Sequence, residues 1–398
     1  MPRKPHRRES SSVKVLNVIM SLDRVNGGGS VERTVQMSRS LAKAGVECTI
    51  LTTDLGVTPE RIQELDGVAI VALPCLSQRY FLPKYKYKDI KRLVRDADVI
   101  HLMTHWTFLN ALVYFIARRY RKPYVVCPAG VLLIYGRSRI IKTLYNWMVG
   151  RSLIRNAVRH IAITADEIPQ FKTYGVKSES VAVIPNGIDP ESFKDRAVSS
   201  FRSKYGLGDV PFILFMGRLS VEKGPDLLLK AFCNAYKLLT PHHLVFAGPD
   251  QEMSRELRGI VSERGVGERV HFLGYVGGPD KSRAYHAADL LVIPSRREAM
   301  SIVVLEAGAA GTPVLMTDQC GFNAMAETGG GMIVPASVEG LERGLIDSLS
   351  NAVGLKLKGQ NLKAFVSEHF LWDSVVQRYI QLYRDICCSQ PDATSPVK

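Results

Sequence analysis

Two glutamates, Glu298 and Glu306, are separated by seven residues between two apolar runs, at 290–294 and 312–316. We expect a strand, a polar loop with Glu298, a helix starting near Ser301 with Glu306 about two turns in, and a second strand. In an open α/β sheet such a loop lies outside the carboxyl ends of the strands, where ligands bind. Carboxylates there can accept hydrogen bonds from sugar or ribose hydroxyls, and the free amides of the helix start favour phosphate. The stretch therefore predicts a nucleotide-sugar pocket, although an isolated pair of glutamates is usually solvated surface charge.

A second segment carries two cations after a predicted buried strand at 211–216. Arg218 and Lys223 would follow its carboxyl end, and Gly224 and Pro225 would open a helix, where proline is tolerated. Arginine binds phosphate oxygens bidentately and lysine acts as a compact point charge, so the pair could clamp a diphosphate. Read alone, such a pair is more often ordinary surface charge.

Short apolar runs alternate with helical stretches along most of the chain. This alternation is typical of parallel sheets built from βαβ units. Strands are predicted at 13–21, 47–53, 99–102, 124–127, 159–164, 181–184, 211–216, 243–247, 270–273, 290–293, 313–316 and 331–335, and helices include 31–44 and 367–386.

The chain length of 398 residues suits two domains rather than one core. Turn residues at 185–190 interrupt the alternation, which restarts near 209. We expect a disordered basic arm at 1–12, an acceptor-side domain at 13–190, a linker at 191–208, a nucleotide-sugar domain at 209–370, a C-terminal helix at 371–388 that returns to the first domain, and a tail at 389–398.

The composition, with 46% hydrophobic and 23% charged residues, is that of a globular protein. No apolar stretch reaches the roughly 18 residues that a membrane span needs, and the basic N-terminus lacks the apolar core of a secretory signal. Seven scattered cysteines favour a reducing cytoplasm over a disulfide framework.

Positive charge is concentrated in the first half of the chain. Residues 1–200 hold 31 Lys/Arg and 17 Asp/Glu, whereas residues 201–398 hold 21 of each. Between Asp98 and Asp166 there is no acidic residue, and the segment 79–88 interleaves cations with tyrosines. This pattern suits an anionic membrane surface, and a solvated basic face is the plainer alternative. A basic face also suggests nucleic acid, but no recognition motif accompanies it, so we expect no nucleic-acid partner.

The segments around Arg218 and Glu298 resemble the retaining nucleotide-sugar glycosyltransferases of family 4. The Gly-Arg-Leu…Glu-Lys-Gly pattern at 217–224 recurs in that family, and so do the two glutamates. The first glutamate usually opens a Glu-Gly-Phe-Gly run, whereas here Ala299 and Ser301 replace both glycines. The resemblance extends from about residue 13 to 386. It implies the GT-B fold, two Rossmann-like parallel-sheet domains that face each other across a cleft.

The resemblance also assigns roles to single residues. It implies that Arg218 and Lys223 stabilise the departing nucleoside diphosphate without a bound metal or other cofactor. Glu298 and His105 complete the predicted catalytic set. Predicted donor-binding residues are Gly28, Gly29, Arg218, Lys223, Gly248, Gly274, Tyr275, Glu298, Ala299, Met300, Ser301, Ile302 and Glu306.

The first domain matches the family more loosely. Gly28 and Gly29 lie between the first strand and the first helix, where glycine allows close approach of backbone to a ligand, although a plain flexible turn is an equal alternative. The loop lacks dinucleotide-site spacing. Family members often have Gly-Gly-x-Glu there, and Glu32 stands one residue further on.

The strand-and-loop 98–106 matches a family segment that often contains His-x-His. Here we interpret His101 as structural, and His105 as the histidine that contacts sugar or acceptor. A histidine of near-neutral pKa could also shuttle a proton. Trp106 and Gly130 are predicted on the acceptor side.

The resulting hypothesis is a retaining enzyme that moves a hexose from a nucleoside diphosphate sugar to a hydroxyl of a polysaccharide or lipid-linked glycan precursor, of the lipopolysaccharide, capsule or exopolysaccharide type. It would be cytoplasmic and peripherally associated with the inner face of the plasma membrane. The alternatives are a nucleotide-sugar epimerase or hydrolase of the same fold, and a non-catalytic protein that binds sugar nucleotides or a membrane surface. Fold alone does not decide between them.

Overall fold

The computed structural model describes residues 12–25, 27–134 and 138–389. The predicted arm, except for Ser12, and the predicted tail from residue 390 lie outside this range. Contacts divide the chain into two compact units, Met1–Ile184 with Val376–Lys398, and Pro185–Val375. The predicted linker at 191–208 therefore belongs to the second unit, where it contains a 3₁₀ turn, Pro190–Phe193, and a helix.

The first unit is a parallel α/β sheet of seven strands, with one small antiparallel pair, β4 and β5, beside it. The strand order is β3-β2-β1-β6-β7-β8-β9. Its elements are β1 (Lys14–Val18), α1 (Gly28–Lys43), β2 (Glu47–Thr53), α2 (Pro59–Glu64), β3 (Ala69–Leu73), β4 (Cys75–Ser77), β5 (Leu82–Pro83), α3 (Tyr87–Asp96), β6 (Val99–Met103), α4 (Phe108–Arg119), β7 (Tyr124–Cys127), α5 (Arg139–Tyr145), α6 (Arg151–Arg155), β8 (Arg159–Ala162), α7 (Ile168–Lys172) and β9 (Val181–Val183).

The central strands β6 and β7 are buried at every position, as apolar runs in a sheet covered on both faces should be. The sequence prediction missed β3 at the sheet edge, because its half-exposed residues lack a clear apolar run. Between α5 and α6 lies a π-helical turn, Asn146–Gly150, which makes 139–155 one continuous helical segment.

The second unit is a parallel sheet of six strands in the order β12-β11-β10-β13-β14-β15. The two units thus confirm the prediction of two Rossmann-like domains. The elements are α8 (Val198–Lys204), β10 (Phe212–Met216), α9 (Pro225–Asn234), β11 (His243–Ala247), α10 (Ser254–Arg264), β12 (Val270–Gly274), α11 (Pro279–Ala287), β13 (Leu290–Ile293), α12 (Ile302–Ala310), β14 (Val314–Thr317), α13 (Ala324–Glu327), β15 (Gly331–Val334), α14 (Val338–Leu349), α15 (Ala352–His369) and α16 (Trp372–Cys388).

The single helix predicted at 367–386 is wrong at its start, because α15 and α16 are separate helices. The backbone N–H of Ile188 donates to the carbonyl oxygen of Phe370 over 2.7 Å, and that of Trp372 donates to the carbonyl oxygen of Ile188 over 3.1 Å. This strand-like pairing uses the carbonyl of Phe370 and the N–H of Trp372, which would otherwise form hydrogen bonds within a continuous helix. No helix in the described part of the chain is long and apolar enough to cross a membrane.

Candidate functional site

The winding of the second sheet reverses between β10 and β13, which pair in parallel with each other. In open α/β sheets this reversal leaves a crevice at the carboxyl ends of the two strands. The loop after β10 carries Arg218 and Lys223, and the loop after β13 carries Glu298. The two motifs predicted to bind the donor therefore flank one crevice.

Lys223 and Glu298 form an ion pair in this crevice. The Nζ atom of Lys223 donates to Oε1 of Glu298 over 2.5 Å, and the Ser295 hydroxyl donates to Oε2 over 3.1 Å. Both charged side chains are partly exposed. Arg218 is half-buried, and its guanidinium makes no ion pair with any described residue. An ammonium has three N–H donors, so Lys223 keeps donors for a phosphate while it is held by Glu298.

Arg296 connects the two loops, a role that the sequence did not indicate. Its guanidinium binds both carboxylate oxygens of Asp226 at 2.7 and 2.6 Å, and also donates to the carbonyl oxygen of Val221 over 2.9 Å. Burial opposes ionisation of Asp226, but the hydrogen bonds and charge of Arg296 outweigh it and lower the pKa of the carboxyl. The loop that carries Lys223 is thereby fixed to the loop that carries Glu298.

Close backbone contact explains the glycine at the start of α9. Gly224 has φ of +66°, and a Cβ atom there would lie 2.1 Å from the carbonyl oxygen of Pro294. Any side chain would push the β10 loop away from the end of β13. The glycine thus sets the spacing of the two loops.

The residues from Ala299 to Ile302 lead into α12, as predicted. Met300 is buried, and its sulfur accepts a weak hydrogen bond from the backbone N–H of Asn186 at 3.5 Å. Ser301 precedes the first residue of α12, and its buried hydroxyl has no hydrogen-bond partner among the described residues. The first amides of a helix lack intrahelical acceptors, so this end of α12 is suited to an anion.

Glu306 lies one turn into α12, not two as predicted, because the helix begins at Ile302. Its carboxylate is 2% exposed and accepts hydrogen bonds from the ammonium of Lys281 and, over 2.5 Å, from the hydroxyl of Tyr285. Burial and the nearby Glu306 charge raise the pKa of Tyr285 well above its usual range. Glu306 thus connects α11 to α12. Its remaining oxygen lone pairs could accept hydrogen bonds from ribose hydroxyls.

The other predicted donor residues of this unit lie at the carboxyl ends of β11 and β12. The backbone N–H of Gly248 donates to the carbonyl oxygen of Gly274 over 2.7 Å, so these two glycines are in direct contact. A Cβ atom on Gly248 would lie 1.7 Å from the carbonyl oxygen of Gly217, which excludes a side chain there. Tyr275 follows β12 and is 46% exposed.

In the first unit, the sheet reverses its winding between β1 and β6. Gly28 and Gly29 form the first turn of α1, which begins three residues earlier than predicted. Glu32 accepts a hydrogen bond from Gln36 and lies 3.7 Å from the guanidinium of Arg61. The glycines therefore stand at the crevice end of the first sheet, at the N-terminus of a 16-residue helix.

His105 follows β6 and is fully buried, a placement that the sequence did not indicate. Its ring contacts Trp106, Tyr145 and Tyr174 at centroid distances of 4.4, 5.7 and 5.9 Å. Neither ring nitrogen has a hydrogen-bond partner within the described residues, and burial lowers the pKa of His105 to about 4. As it stands, the ring presents no surface to a ligand, and its contact with sugar or acceptor stays a prediction.

Trp106 is half-buried and donates its indole N–H to the carbonyl oxygen of Val131 over 2.5 Å. The backbone N–H of Gly130 donates to the carboxylate of Glu167, which also accepts from the N–H of Ile163 over 2.6 Å. Burial raises the pKa of Glu167 against these hydrogen bonds. The predicted acceptor-side residues thus lie in a tightly bonded part of the first unit.

His101 has the structural role that was predicted. It is fully buried, and its Nδ1 lies 2.7 Å from the hydroxyl of Tyr383 on α16. Next to it, buried Arg33 hydrogen-bonds to the hydroxyl of Tyr379 and to the sulfur of Cys127. These contacts fix the end of α16 within the first unit.

No group of three or more His, Cys, Asp or Glu side chains arranged to hold a metal ion occurs in the part of the chain that the structure describes. All seven cysteines are free thiols.

Two sequence families match this chain. The one described as "Glycosyl transferases group 1" matches residues 198–362, and "Glycosyltransferase Family 4" matches residues 27–192. A D-inositol 3-phosphate glycosyltransferase of Geodermatophilus obscurus is 30% identical over 90% of this chain and 85% of its own length. An uncharacterised glycosyltransferase of Methanocaldococcus jannaschii is 34% identical, and that match spans about half of each protein, 53% of this chain and 55% of the relative.

Solved structures show the same architecture. The Anabaena protein HepE, crystallised with UDP-glucose, superposes with a TM-score of 0.78 at 18% identity, over 94% of this chain and 99% of HepE. This likeness confirms the predicted GT-B fold.

Proposed function

Because this chain belongs to the group 1 glycosyltransferases of family 4, we propose that it transfers a hexose with retention to a hydroxyl of a polysaccharide or lipid-linked glycan precursor. As a member of that family it is a hexosyltransferase with a nucleotide-sugar donor. The observation that carries the site assignment is the crevice between β10 and β13, where the loops with Arg218, Lys223 and Glu298 meet.

In the proposed reaction, the bond from the anomeric carbon to the diphosphate oxygen breaks. The acceptor oxygen bonds to the same face of that carbon, and its proton passes to the departing phosphate. Arg218 and Lys223 stabilise the negative charge that develops on the diphosphate, and the first amides of α12 add partial positive charge. We assign the neutralising charge to these cations and propose no metal cofactor.

The proposal for the acceptor rests on the positive charge of the first unit. Its sequence carries the excess positive charge, with no acidic residue between Asp98 and Asp166. An anionic membrane surface complements such a face, and free cysteines suit the cytoplasm. We therefore propose action at the cytoplasmic face of a plasma membrane, on acceptors of the lipopolysaccharide, capsule or exopolysaccharide type.

A phosphorylated polyol is the second candidate acceptor. It is favoured by the relative from Geodermatophilus obscurus, whose name specifies D-inositol 3-phosphate. A basic first unit would attract a phosphorylated small molecule as well as a lipid surface.

The test is release of nucleoside diphosphate from UDP-, GDP- and ADP-sugars, with membrane lipid extract, with inositol 3-phosphate or without acceptor. We expect release from one donor that rises with the extract and is lost in Arg218→Ala. The matched control is Arg264→Ala, which removes an exposed arginine at the far end of α10. Unchanged release in Arg218→Ala would overturn the site assignment. Full release without acceptor would indicate the hydrolase alternative, and conversion of the donor into another nucleotide sugar without net release would indicate the epimerase alternative.

A further inference from the structure

The helical segment 139–155 of the first unit exposes a row of large apolar side chains. Ile140 is 85% exposed and Trp147 is 80% exposed. At 3.6 residues per turn, the members of the row fall within an arc of roughly 120°. They are Ile140, Ile141, Leu144, Trp147 and Met148.

The opposite face of the same segment is also apolar, and it is buried. Val149, Leu153 and Ile154 belong to the hydrophobic core of the first unit. A surface helix of a globular protein normally turns charged and polar residues outward. A contiguous exposed apolar face of this kind marks an interaction site rather than ordinary surface.

The surrounding charges indicate the occupant of this face. Ten Lys/Arg and no Asp/Glu occur between residues 99 and 165. Within the segment, Arg139, Arg151 and Arg155 are exposed. A second copy of this chain would bring like charges together at such a face, whereas an anionic lipid surface offers both opposite charge and an apolar layer.

The segment is attached to the loop that follows β6. The hydroxyl of Tyr145 donates to the carbonyl oxygens of His105 and Thr107 at 3.0 and 3.1 Å. The segment 79–88 reaches the first residue of α4, directly after this loop, because the ring of Tyr85 lies 6.1 Å from that of Phe108. The apolar row and the interleaved cations and tyrosines of 79–88 are thus both attached at the carboxyl edge of the first sheet.

We propose that the outer face of 139–155 inserts into the interface of an anionic lipid bilayer, with the cations and tyrosines of 79–88 on the headgroups. This inference rests on the membrane association included in the proposed function, and it names the surface responsible. Apolar rings and chains at headgroup depth with cations beside them are the features of an interfacial helix. The contact would hold the β6 loop, next to which an acceptor is expected, at the lipid surface.

Trp147 supplies a direct test. Of the three tryptophans, Trp106 is half-buried and Trp372 is 3% exposed, so only Trp147 has a largely exposed ring. We expect its fluorescence to shift to shorter wavelength with phosphatidylglycerol-containing vesicles and to be quenched by brominated lipid. Phosphatidylcholine vesicles should have little effect, and Trp147→Phe should lose the response. Vesicle binding without any change in Trp147 emission would overturn insertion.

A second test compares two pairs of substitutions by vesicle flotation. Ile140→Ser with Leu144→Ser removes part of the apolar row, and Leu238→Ser with Val353→Ser removes similar exposed side chains, 72% and 83% exposed, from the second unit. We expect the first pair to weaken binding by at least about tenfold and the second pair to leave it unchanged. Equal binding by both pairs would overturn the proposal. A wild-type dimer in sedimentation that dissociates only in the Ile140→Ser, Leu144→Ser variant would also overturn it, since a second copy would then cover this face.

The donor site provides the separate readout. Nucleoside diphosphate release with the lipid extract dispersed in detergent, where no bilayer surface is present, should be equal in the wild type and the Ile140→Ser, Leu144→Ser variant, because neither substituted residue lies in the second unit. Arg218→Ala should bind vesicles normally while losing release. Failure of vesicle binding would therefore be distinguishable from failure of the transferase assignment.

Discussion

Lys223 and Glu298 stand 75 positions apart in the sequence, and their charged atoms meet at 2.5 Å. The sequence predicts a donor contact for each residue separately, and the structure places the two side chains in one ion pair. The carboxylate fixes the direction of the ammonium, which leaves the other N–H donors of Lys223 for a phosphate. Preorganisation of this kind reduces the reorganisation that the reaction itself requires.

Substitution of Glu298 by Gln should therefore lower kcat/KM through Lys223. We expect kcat/KM to fall by about 10- to 100-fold in Glu298→Gln. Lys223→Met should show a larger loss of about 10²- to 10³-fold, which is typical for removal of a stabilising donor. Because the two side chains act as a unit, the double variant should be little worse than Lys223→Met alone. Steady-state release of nucleoside diphosphate measures this. Effects that multiply would show that the two residues act independently.

The ion pair of buried Glu306 with partly exposed Lys281 should contribute to stability. Glu306→Gln leaves the ammonium beside a neutral amide, and we expect the free energy of unfolding to fall by about 1–3 kcal/mol. Tyr285→Phe should cost about 1.5–3 kcal/mol, because it removes a hydrogen bond to a charged group. Urea denaturation measures both. The control is Glu263→Gln at an exposed position on α10, whose free energy of unfolding should stay within about 0.5 kcal/mol of wild type. An equally small change in Glu306→Gln would contradict a structural role for Glu306.

His105 should make stability fall in mild acid. Burial lowers its pKa to about 4, from 6.5 for an exposed histidine. The unfolded chain therefore binds a proton that the folded chain does not, so stability is lost as pH falls from 6.5 towards 4. Between pH 6.5 and 5, His105 should lower the free energy of unfolding by roughly 2 kcal/mol. His105→Phe should make the decline shallower than His369→Gln, which removes an exposed histidine; identical pH slopes would argue against a buried neutral imidazole.

Gly150 allows the close packing around His105. A Cβ atom there would lie 2.9 Å from Nε2 of His105 and 2.7 Å from Oδ1 of Asn146. Gly150→Ala should therefore lower the unfolding free energy by about 1–3 kcal/mol through overpacking. Gly259→Ala is the matched control, because that position on α10 has open space within 4 Å. Thermal unfolding should show a raised melting temperature for Gly259→Ala, since alanine reduces the freedom of the unfolded chain. A stabilising Gly150→Ala would show that the packing around His105 is looser than the structure indicates.

Binding to anionic vesicles should depend on salt. Cations of the first unit contribute on the order of 1 kcal/mol each near an anionic surface, and screening shortens to a few Å at about 0.5 M salt. We expect flotation with phosphatidylglycerol vesicles to decrease markedly between low salt and about 0.5 M. The variant Lys86→Ser with Lys88→Ser should show a weaker salt dependence than wild type. Binding that is constant across this range would reject an electrostatic contribution.

The sequence was sufficient to predict where the strands of both large sheets lie, apart from β3, but it missed the separate small pair of β4 and β5. Buried parallel strands are continuous apolar runs bounded by turn residues, and this pattern is local in the chain. β3 was missed because it is a half-exposed edge strand, and β4 and β5 because they have only three and two residues. The positions of Arg218 and Glu298 after their strands were predictable for the same reason, since parallel strands place their carboxyl ends at one edge.

Only the tertiary structure decided which side chains are partners and which surfaces are open. The contacts of Arg296 with Asp226, and of Lys281 with Glu306, join residues 70 and 25 positions apart, and no local pattern specifies such pairs. The burial of His105 depends on Tyr145 and Tyr174, whose rings come from two other segments of the chain. The segment 139–155 is apolar on both faces, so periodicity alone cannot identify its buried face. That choice is made by the core against which Leu153 and Ile154 pack, and it leaves Trp147 exposed.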